Sequence, residues 1–454
     1  MTKNYCLVES PFITYRKQII IISAIILTII LISYILAPGI QEATKKINSK
    51  LPSTSNGFKT IIYLIIVFII IIGILAYLFY QTVIYRRLER CLSVYELPNY
   101  PQISMNAPPT KYQNPYFNQE MTHLVQDFYI LSAAQASLPC GQYNDLSSKE
   151  ALQNVLKRGA RWLELTVYWT PENNLDKNPK AYLSTGDKQE PTHLIFNPNK
   201  LTLEDGLKTI GEEAFKNTNI PLFICLQSNK LLDNGMLPSL FLEKQIANIW
   251  AAAFYQNIPL AKNLGLKDSL GNVQMPDAMG KAFLILNWTP SEESLINLTT
   301  DVVRPSTELY PTKGIQTIKI TPADLPYGNV RGKFVSDTEM IEFNKFHLTR
   351  ASFTTEPSVN NLTSPKADIA NMDTTESYKM GIQIVPQHFT VFPGTKDATL
   401  KNFEFFKDGP MKLKPEQLRY IPKPAPPVRK QFEELSYAPQ EYKDPRPGFA
   451  ELQI

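Results

Sequence analysis

Histidine and cysteine side chains, the usual sources of metal and acid–base chemistry, are few and scattered in this chain of 454 residues. The four histidines are His123, His193, His347 and His388, and the four cysteines are Cys6, Cys91, Cys140 and Cys225. No two cysteines form a CxxC pair, so the spacing predicts neither a zinc site nor a disulfide framework. Histidine-based catalysis is therefore disfavoured, and the dispersed cysteines fit a reducing compartment.

The charge balance argues against a nucleic-acid-binding protein. The chain has 46 Lys+Arg against 42 Asp+Glu and a net charge of +4, and its globular part has no concentrated basic face. No nucleic-acid partner is predicted. Charged residues make up 19% and hydrophobic residues 44% of the chain, which excludes a mainly disordered protein.

Strand and helix patterns alternate through the globular part of the chain. The strand patterns are Trp162–Trp169, Ile220–Leu226 and Lys281–Asn287, and the helix patterns are Ser147–Leu156, Leu203–Phe215 and Glu243–Tyr255. This alternation predicts βα units around a parallel sheet with both faces covered. Periodicity alone leaves a barrel and an open sheet as alternatives. Residues 290–345 and 354–376 are polar and predicted to be rich in loops, and a strand pattern returns around Ile382–Val385.

Two uncharged apolar runs, 19–37 and 61–80, are each long enough to cross a ~30 Å hydrocarbon core as a helix. The short loop 38–60 makes them a transmembrane hairpin, so the lipid bilayer is a predicted partner. Basic residues that flank the outer ends of the hairpin favour both termini and the large domain on the cytosolic side. The sequence leaves open whether the membrane is that of a virion or an intracellular one.

The predicted organisation places one large domain between the hairpin and a tail. It runs as N-terminal segment 1–18, membrane helix 19–37, loop 38–60, membrane helix 61–80, Pro-rich linker 81–120, globular domain 121–420 and Pro-rich tail 421–454. The tail has too many prolines to form a core. It is predicted to be disordered, or to be an extended arm that lies on a protein neighbour.

Six segments carry a recognisable order of motifs: Ile130–Leu138, Leu156–Thr166, Ile195–Thr202, Pro221–Asn229, Met380–Phe389 and Leu413–Arg419. In this order they resemble the catalytic barrel of phosphoinositide-specific phospholipase C. The resemblance implies an α/β fold, a distorted TIM-type barrel, preceded here by the transmembrane hairpin. Its X half would span about 125–290 and its Y half about 345–420.

The family's chemistry resembles Ca²⁺-assisted acid–base catalysis with two histidines. Carried over residue by residue, the first histidine falls on Ala134 and the second on Asn199, and a further histidine of the same loop falls on Asn197. An alanine has no proton to transfer, and an amide does not titrate near neutral pH. The resemblance therefore implies that both catalytic positions are lost.

The metal positions are also altered. The family's asparagine falls on Gln135, its first glutamate on Glu164, its aspartate on Thr166 and its second glutamate on Gln227, so one carboxylate of three remains. A Ca²⁺ site depends mainly on such oxygen ligands, so no metal or cofactor is predicted. Arg350 loosely matches an arginine that contacts the substrate phosphate. The family's lysine pair is missing, because the matching stretch is Ile285–Trp288.

Three interpretations follow from these substitutions. The leading one is a membrane-anchored pseudoenzyme, a structural or binding scaffold in a membrane-associated assembly, for which a large DNA virus is one suggested source. Its barrel surface and tail would bind a protein partner. The second is an active phospholipase C or phosphodiester hydrolase with a rearranged site, for which Ca²⁺ would be expected. The third is a phosphoinositide-binding module without catalysis.

Overall fold

The structure is a computed structural model that divides into two units. The first comprises Met1–Arg90 and Thr363–Lys366, and the second comprises Cys91–Leu362 and Ala367–Ile454. The structure describes residues 68–69, 71–76, 78, 101–137, 147–169, 181–183, 201–228, 240–258, 269–304, 314–320, 336–353, 371, 373–389, 396–424, 441–442 and 452–453.

In the first unit the described residues are helical and expose apolar side chains such as Ile69 and Leu75. They lie inside the predicted span 61–80. A search of the described part of the chain finds no helix with the length and apolar character needed to cross a bilayer. The predicted span 19–37 lies outside the described residues, so the transmembrane hairpin stays a prediction.

The second unit contains alternating strands and helices. The described strands are β1 Lys111–Asn114, β2 Gln119–Thr122, β3 Phe128–Ile130, β4 Ser132–Ala133, β5 Trp162–Trp169, β6 Ala181–Leu183, β7 Leu222–Ser228, β8 Ala282–Leu286, β9 Thr299–Arg304, β10 Ile315–Ile320, β11 Thr349–Phe353, β12 Met411–Leu413, β13 Glu441–Tyr442 and β14 Leu452–Gln453. The described α-helices are α1 Lys149–Lys157, α2 Leu203–Ala214, α3 Leu240–Phe254, α4 Met275–Ala278, α5 Glu293–Leu298, α6 Asp337–Phe346, α7 Thr375–Lys379 and α8 Lys396–Phe405.

A curled parallel sheet forms the centre of this unit. Its strand order is β4-β5-β7-β8-β9-β10-β11, and each neighbouring pair is parallel. The short strand β6 pairs antiparallel with β5 outside this order. The parallel order with intervening helices confirms the predicted α/β class.

The segment 382–387 joins the two ends of the sheet. Ile384 forms parallel bridges with Arg350 of β11 and with Ile130 of β3, and Gln387 bridges Ala133 of β4. Ala351 donates a backbone hydrogen bond to the Ile384 carbonyl at 2.8 Å, and Ile130 donates one to the Gln383 carbonyl at 2.9 Å. The sheet therefore closes into a distorted barrel with eight strand positions.

Alternation along the strands separates the inside of the barrel from its outside. Trp162, Phe223 and Phe283, from three adjacent strands, stack on one another in the inner cluster. Their neighbours in sequence, such as Leu163 and Ile224, pack with residues of the surrounding helices in the outer cluster. A strand with both faces buried has a nearly continuous apolar sequence, which explains why these strands could be found in the sequence.

Local capping fixes the helices at their predicted starts. The Ser148 hydroxyl accepts a hydrogen bond from the Ala151 amide at 3.0 Å, and the Thr202 hydroxyl accepts one from the Asp205 amide at 3.0 Å. Each bond satisfies an amide that the first helical turn leaves without a partner. Gly159 follows α1 with φ +89°, a backbone conformation that favours glycine.

Two parts of the predicted organisation differ in the structure. The polar region 290–345, predicted to be rich in loops, contains β9, β10, α5 and α6. The prediction was wrong there because a polar sequence can form strands when neighbouring strands of the barrel supply hydrogen-bond partners for its backbone. Within the predicted linker 81–120, residues 111–114 form β1, which pairs antiparallel with β2.

Candidate functional site

The candidate site lies inside the barrel, near the carboxyl ends of the strands, and its central residue is Glu164. Glu164 is two residues after the inner residue Trp162, so its side chain points to the same inner face. It lies beside Cys225 in the register of β5 and β7. Two residues later on each strand, Thr166 lies beside Gln227. Glu164 is 5% exposed, so its carboxylate needs partners inside the protein.

Four donors hold the Glu164 carboxylate. Oε1 accepts from Arg350 Nε and from Trp162 Nε1 at 3.2 Å, and Oε2 accepts from Arg350 Nη2 at 2.7 Å and from Gln227 Nε2 at 3.0 Å. A carboxylate offers about four lone-pair sites. Each oxygen therefore has two donors, and the group is saturated by protein atoms.

Arg350 provides the positive charge of this network. It projects from β11, which lies across the barrel from β5 in the strand order. Burial tends to lower the pKa of Arg350, but the charge and hydrogen bonds of Glu164 outweigh burial and raise this pKa. The bidentate pair thus connects two strands that are not neighbours in the sheet.

The remaining predicted positions that the structure describes, Ala134, Gln135 and Thr166, carry neutral side chains. The Ala134 amide donates to the Gln387 carbonyl at 2.9 Å, which attaches the loop after β4 to the closing segment. Gln135 adopts φ +45°, and Thr166 is buried. Asn197 and Asn199 lie outside the described residues, as does His193, so their predicted places in the site are untested.

Sequence reasoning missed three residues of the site. Trp162 donates to Glu164, Cys225 lies beside it on β7, and His388 follows the closing bridge at Gln387. Burial lowers the pKa of His388 to about 4, with the charge of Glu164 opposing that shift, so this imidazole is neutral at pH 7. Burial raises the pKa of the Cys225 thiol, and the nearby Glu164 charge adds to that effect. The alternation of side chains along β5 and β7 could have identified Trp162 and Cys225, because they lie on the same strand face as Glu164 and Gln227.

The remaining histidines that the structure describes lie away from this network. His123 stacks on Tyr112 near the start of the barrel, and His347 stacks on Phe343 after α6. In the described part of the chain, no group of three or more histidine, cysteine, aspartate or glutamate residues is placed to hold a metal ion. The described arrangement around Glu164 is a buried ion pair with Arg350.

A closed parallel α/β barrel with polar residues at the carboxyl ends of its strands belongs to the TIM-type class. Residues 121–259 match the family model described as phosphatidylinositol-specific phospholipase C, X domain. This match confirms the resemblance drawn from the sequence motifs. The predicted Y half at 345–420 lies beyond the matched residues.

The relatives are similar over limited parts of their length. The chain is 25% identical over 159 residues to the 1-phosphatidylinositol 4,5-bisphosphate phosphodiesterase delta-3-A of Danio rerio, covering 33% of this chain and 18% of that protein. The crystal structure of L. pealei PLC21 is 17% identical with a TM-score of 0.47, covering 70% of this chain and 40% of that one. A calcium-dependent phosphoinositol-specific phospholipase C from a Pseudomonas species is 11% identical with a TM-score of 0.37, covering 58% and 90%. The chain thus spans less than a fifth of its curated relative.

Proposed function

We propose that this protein is a membrane-anchored pseudoenzyme, a phospholipase C-like barrel that acts as a structural or binding scaffold in a membrane-associated assembly. The observation that carries the proposal is the saturated carboxylate of Glu164. The one carboxylate that matches a metal ligand of the family accepts hydrogen bonds from Arg350, Gln227 and Trp162. In this site the guanidinium provides the positive charge that a bound cation would otherwise provide.

Calcium binding at this place would require a different set of ligands. Ca²⁺ takes six to eight oxygen ligands, and its affinity depends strongly on how many of them are charged. Gln135, Thr166 and Gln227 offer neutral oxygens only, and Glu164 is already paired with Arg350. A cation would have to displace the guanidinium, which would leave a second positive charge buried beside it.

The acid–base positions support the same proposal. Ala134 has no titratable group, and an asparagine at position 199 has none near neutral pH. The buried His388 is the described histidine that interacts electrostatically with Glu164, and its pKa of about 4 keeps it from holding a proton at pH 7. General acid catalysis at neutral pH needs a proton donor whose pKa lies near that pH.

The membrane part of the proposal rests on the apolar runs 19–37 and 61–80. They would anchor the barrel to a virion or an intracellular membrane with the large domain on the cytosolic side. The barrel surface and the tail 421–454 would then contact protein partners. The viral context rests on sequence character alone.

The test measures Ca²⁺ binding by calorimetry and phosphoinositide turnover with the full chain reconstituted in lipid nanodiscs. We expect neither binding nor turnover. The matched control is the variant Thr166→Asp/Gln227→Glu, which returns two carboxylates and should bind Ca²⁺ measurably. Ca²⁺-dependent turnover by the unmodified chain would instead support an active hydrolase with a rearranged site, and would overturn the pseudoenzyme proposal.

The phosphoinositide-binding alternative has a separate outcome. Arg350 would have to leave Glu164 to contact a phosphate, so the variant Glu164→Gln should strengthen such binding while Arg350→Ala should abolish it. Vesicle flotation with and without phosphatidylinositol 4,5-bisphosphate measures this. If both variants bind as the unmodified chain does, Arg350 is not a phosphate contact.

A further inference from the structure

A groove on the outside of the barrel has no role in the proposed ion-pair site. It has a volume of about 1080 Å³ and lies where α7, α8 and α6 meet the start of β3 and the strand β12. Its floor is aromatic and aliphatic: Tyr378 stacks on Phe405 with ring centroids 4.5 Å apart, and Tyr129 contacts both rings. Leu400 and Ile341 extend the apolar surface.

The rim of the groove is rich in lysine. Lys379, Lys401, Lys407 and Lys412 line it, against Glu404 as the one acidic lining residue that the structure describes. Three of these lysines are in ion pairs with exposed acids, and such surface pairs contribute little and exchange readily. Lys412 lies over the Phe405 ring at 4.2 Å and donates to the Phe405 carbonyl at 3.1 Å, with no described carboxylate partner. The groove is therefore suited to a segment that combines aromatic or aliphatic side chains with carboxylates.

The C-terminal tail contains such a segment. Residues 432–437 read Phe-Glu-Glu-Leu-Ser-Tyr, with three apolar side chains and two adjacent acids. The basic residues Arg429 and Lys430 precede it, and the next acidic residue in the sequence is Glu441. Apolar anchors flanked by charge complementary to the receiving surface are the usual composition of a peptide that docks in a groove.

The course of the chain after the groove decides whose tail can reach it. Leu418 lines the groove, but the following residues run beside β1 towards the turn after it. Arg419 lies 6.0 Å from the Tyr112 ring, Asn114 donates to the Pro422 carbonyl at 3.1 Å, and Lys423 lies 5.5 Å from the Tyr116 ring.

Prolines at 422, 424, 426 and 427 follow in sequence. Proline-rich segments favour the stiff polyproline II conformation with a rise of about 3.1 Å per residue. A stiff segment is hard to fold back, so this composition favours a tail that reaches a second molecule over one that returns to its own groove.

We propose that the groove binds the segment 432–437 from the tail of a second copy of this chain. Two copies that exchange tails in this way would form a symmetric pair, with the same surface used twice. Phe432, Leu435 and Tyr437 pack on the aromatic floor, and Glu433 and Glu434 pair with the lysine rim. The proposal deepens the scaffold part of the proposed function and rests on it, since it names the partner as the chain itself.

The test is disulfide cross-linking between two full-length preparations that carry tags of different size, mixed in detergent micelles. Cys6, Cys91 and Cys140 are first replaced by serine, and the buried Cys225 is kept. One preparation carries Thr375→Cys at the groove rim and the other carries Ser436→Cys in the tail. The matched control replaces Thr375→Cys with Glu212→Cys, an exposed position on α2.

We expect a cross-linked product that contains both tags with the groove cysteine and at least about tenfold less with the control. Glu433→Lys/Glu434→Lys should lower the yield about fivefold, because like charges would then meet at the rim. Adding Lys401→Glu/Lys412→Glu to the groove partner should restore it.

Three results would overturn the proposal. Equal yields at the groove and control positions would mean random collision, and no product at either position would mean no contact. When both cysteines are placed in one chain, cross-linking confined to that chain would assign the groove to its own tail. None of these results depends on Ca²⁺ binding or turnover. The tail-exchange proposal can therefore fail while the pseudoenzyme proposal holds, and the reverse can also be observed.

Discussion

The pair between Glu164 and Arg350 gives the sharpest quantitative prediction. Glu164→Gln would leave the Arg350 charge buried without a counter-ion, and Arg350→Met would leave the Glu164 carboxylate with only Trp162 and Gln227 as donors. The two side chains are 6% and 13% exposed, so water compensates little. Breaking one partner of a buried pair lowers the free energy of unfolding by about 3–5 kcal/mol.

The double variant Glu164→Gln/Arg350→Met removes both charges together. Replacing a buried pair by neutral groups of similar size costs much less than breaking it. We therefore expect the double variant to lose less free energy of unfolding than the sum of the two single losses. The difference, which is the coupling energy, should be about 2–3 kcal/mol. Urea denaturation of the full chain in micelles, followed by tryptophan fluorescence and circular dichroism, measures all four proteins.

The exposed pair Lys111–Glu120 is the matched control. Its atoms are 2.9 Å apart, but both side chains are 54% exposed. Water screening limits the coupling of such a pair to less than about 1 kcal/mol. If the coupling at Glu164 and Arg350 is no larger than at the control pair, the reasoning that this ion pair compensates a buried charge is refuted.

Three further variants test other parts of the barrel. Lys414 is buried against the Asn344 carbonyl, and burial lowers the pKa of Lys414 to about 7. Between pH 7 and about 10.4 the folded state therefore binds fewer protons than the unfolded state. The free energy of unfolding should rise by about 1 kcal/mol between pH 7 and pH 8. Lys414→Met should remove this slope in urea titrations, whereas an unchanged slope would assign it to another group. Gly211→Ala would place a methyl group against the Ala253 carbonyl of the next helix and should lower the free energy of unfolding by about 1–3 kcal/mol. As a control, Glu212→Ala at the neighbouring exposed position should change this free energy by less than about 0.5 kcal/mol. Glu243 accepts three hydrogen bonds from the loop after β8, so Glu243→Gln should cost about 2 kcal/mol, and a thermal midpoint equal to that of the unmodified chain would contradict this.

The buried strands and capped helices of the barrel could be predicted from the sequence. The strand pattern at Trp162–Trp169 matches β5, and those at β7 and β8 agree within a few residues, because continuous apolar runs of this length have few other uses. The helix patterns for α1, α2 and α3 agree to within about three residues. The strands β9 and β10 could not be found, since their polar side chains carry no clear period and their partners are distant in sequence.

The sequence predicted which residues lie at the site but not which of them bond to one another. The motif alignment identified Glu164, Gln227 and Arg350 as members of one site, and the structure brings these three together. The alignment did not indicate that Arg350 binds Glu164, because it assigned Arg350 to the substrate phosphate and Glu164 to the metal. A contact across the barrel depends on the strand order, which a single sequence does not reveal.

Closure of the barrel by the segment 382–387 has a consequence for synthesis of the protein. Ile130 must pair with Ile384, so both edges of the sheet stay unpaired until about 250 further residues have left the ribosome. At ordinary rates of translation this interval is roughly 13–50 s. Throughout it the nascent chain presents open strand edges that invite pairing with other chains. A cell that makes this protein must therefore protect those edges during translation.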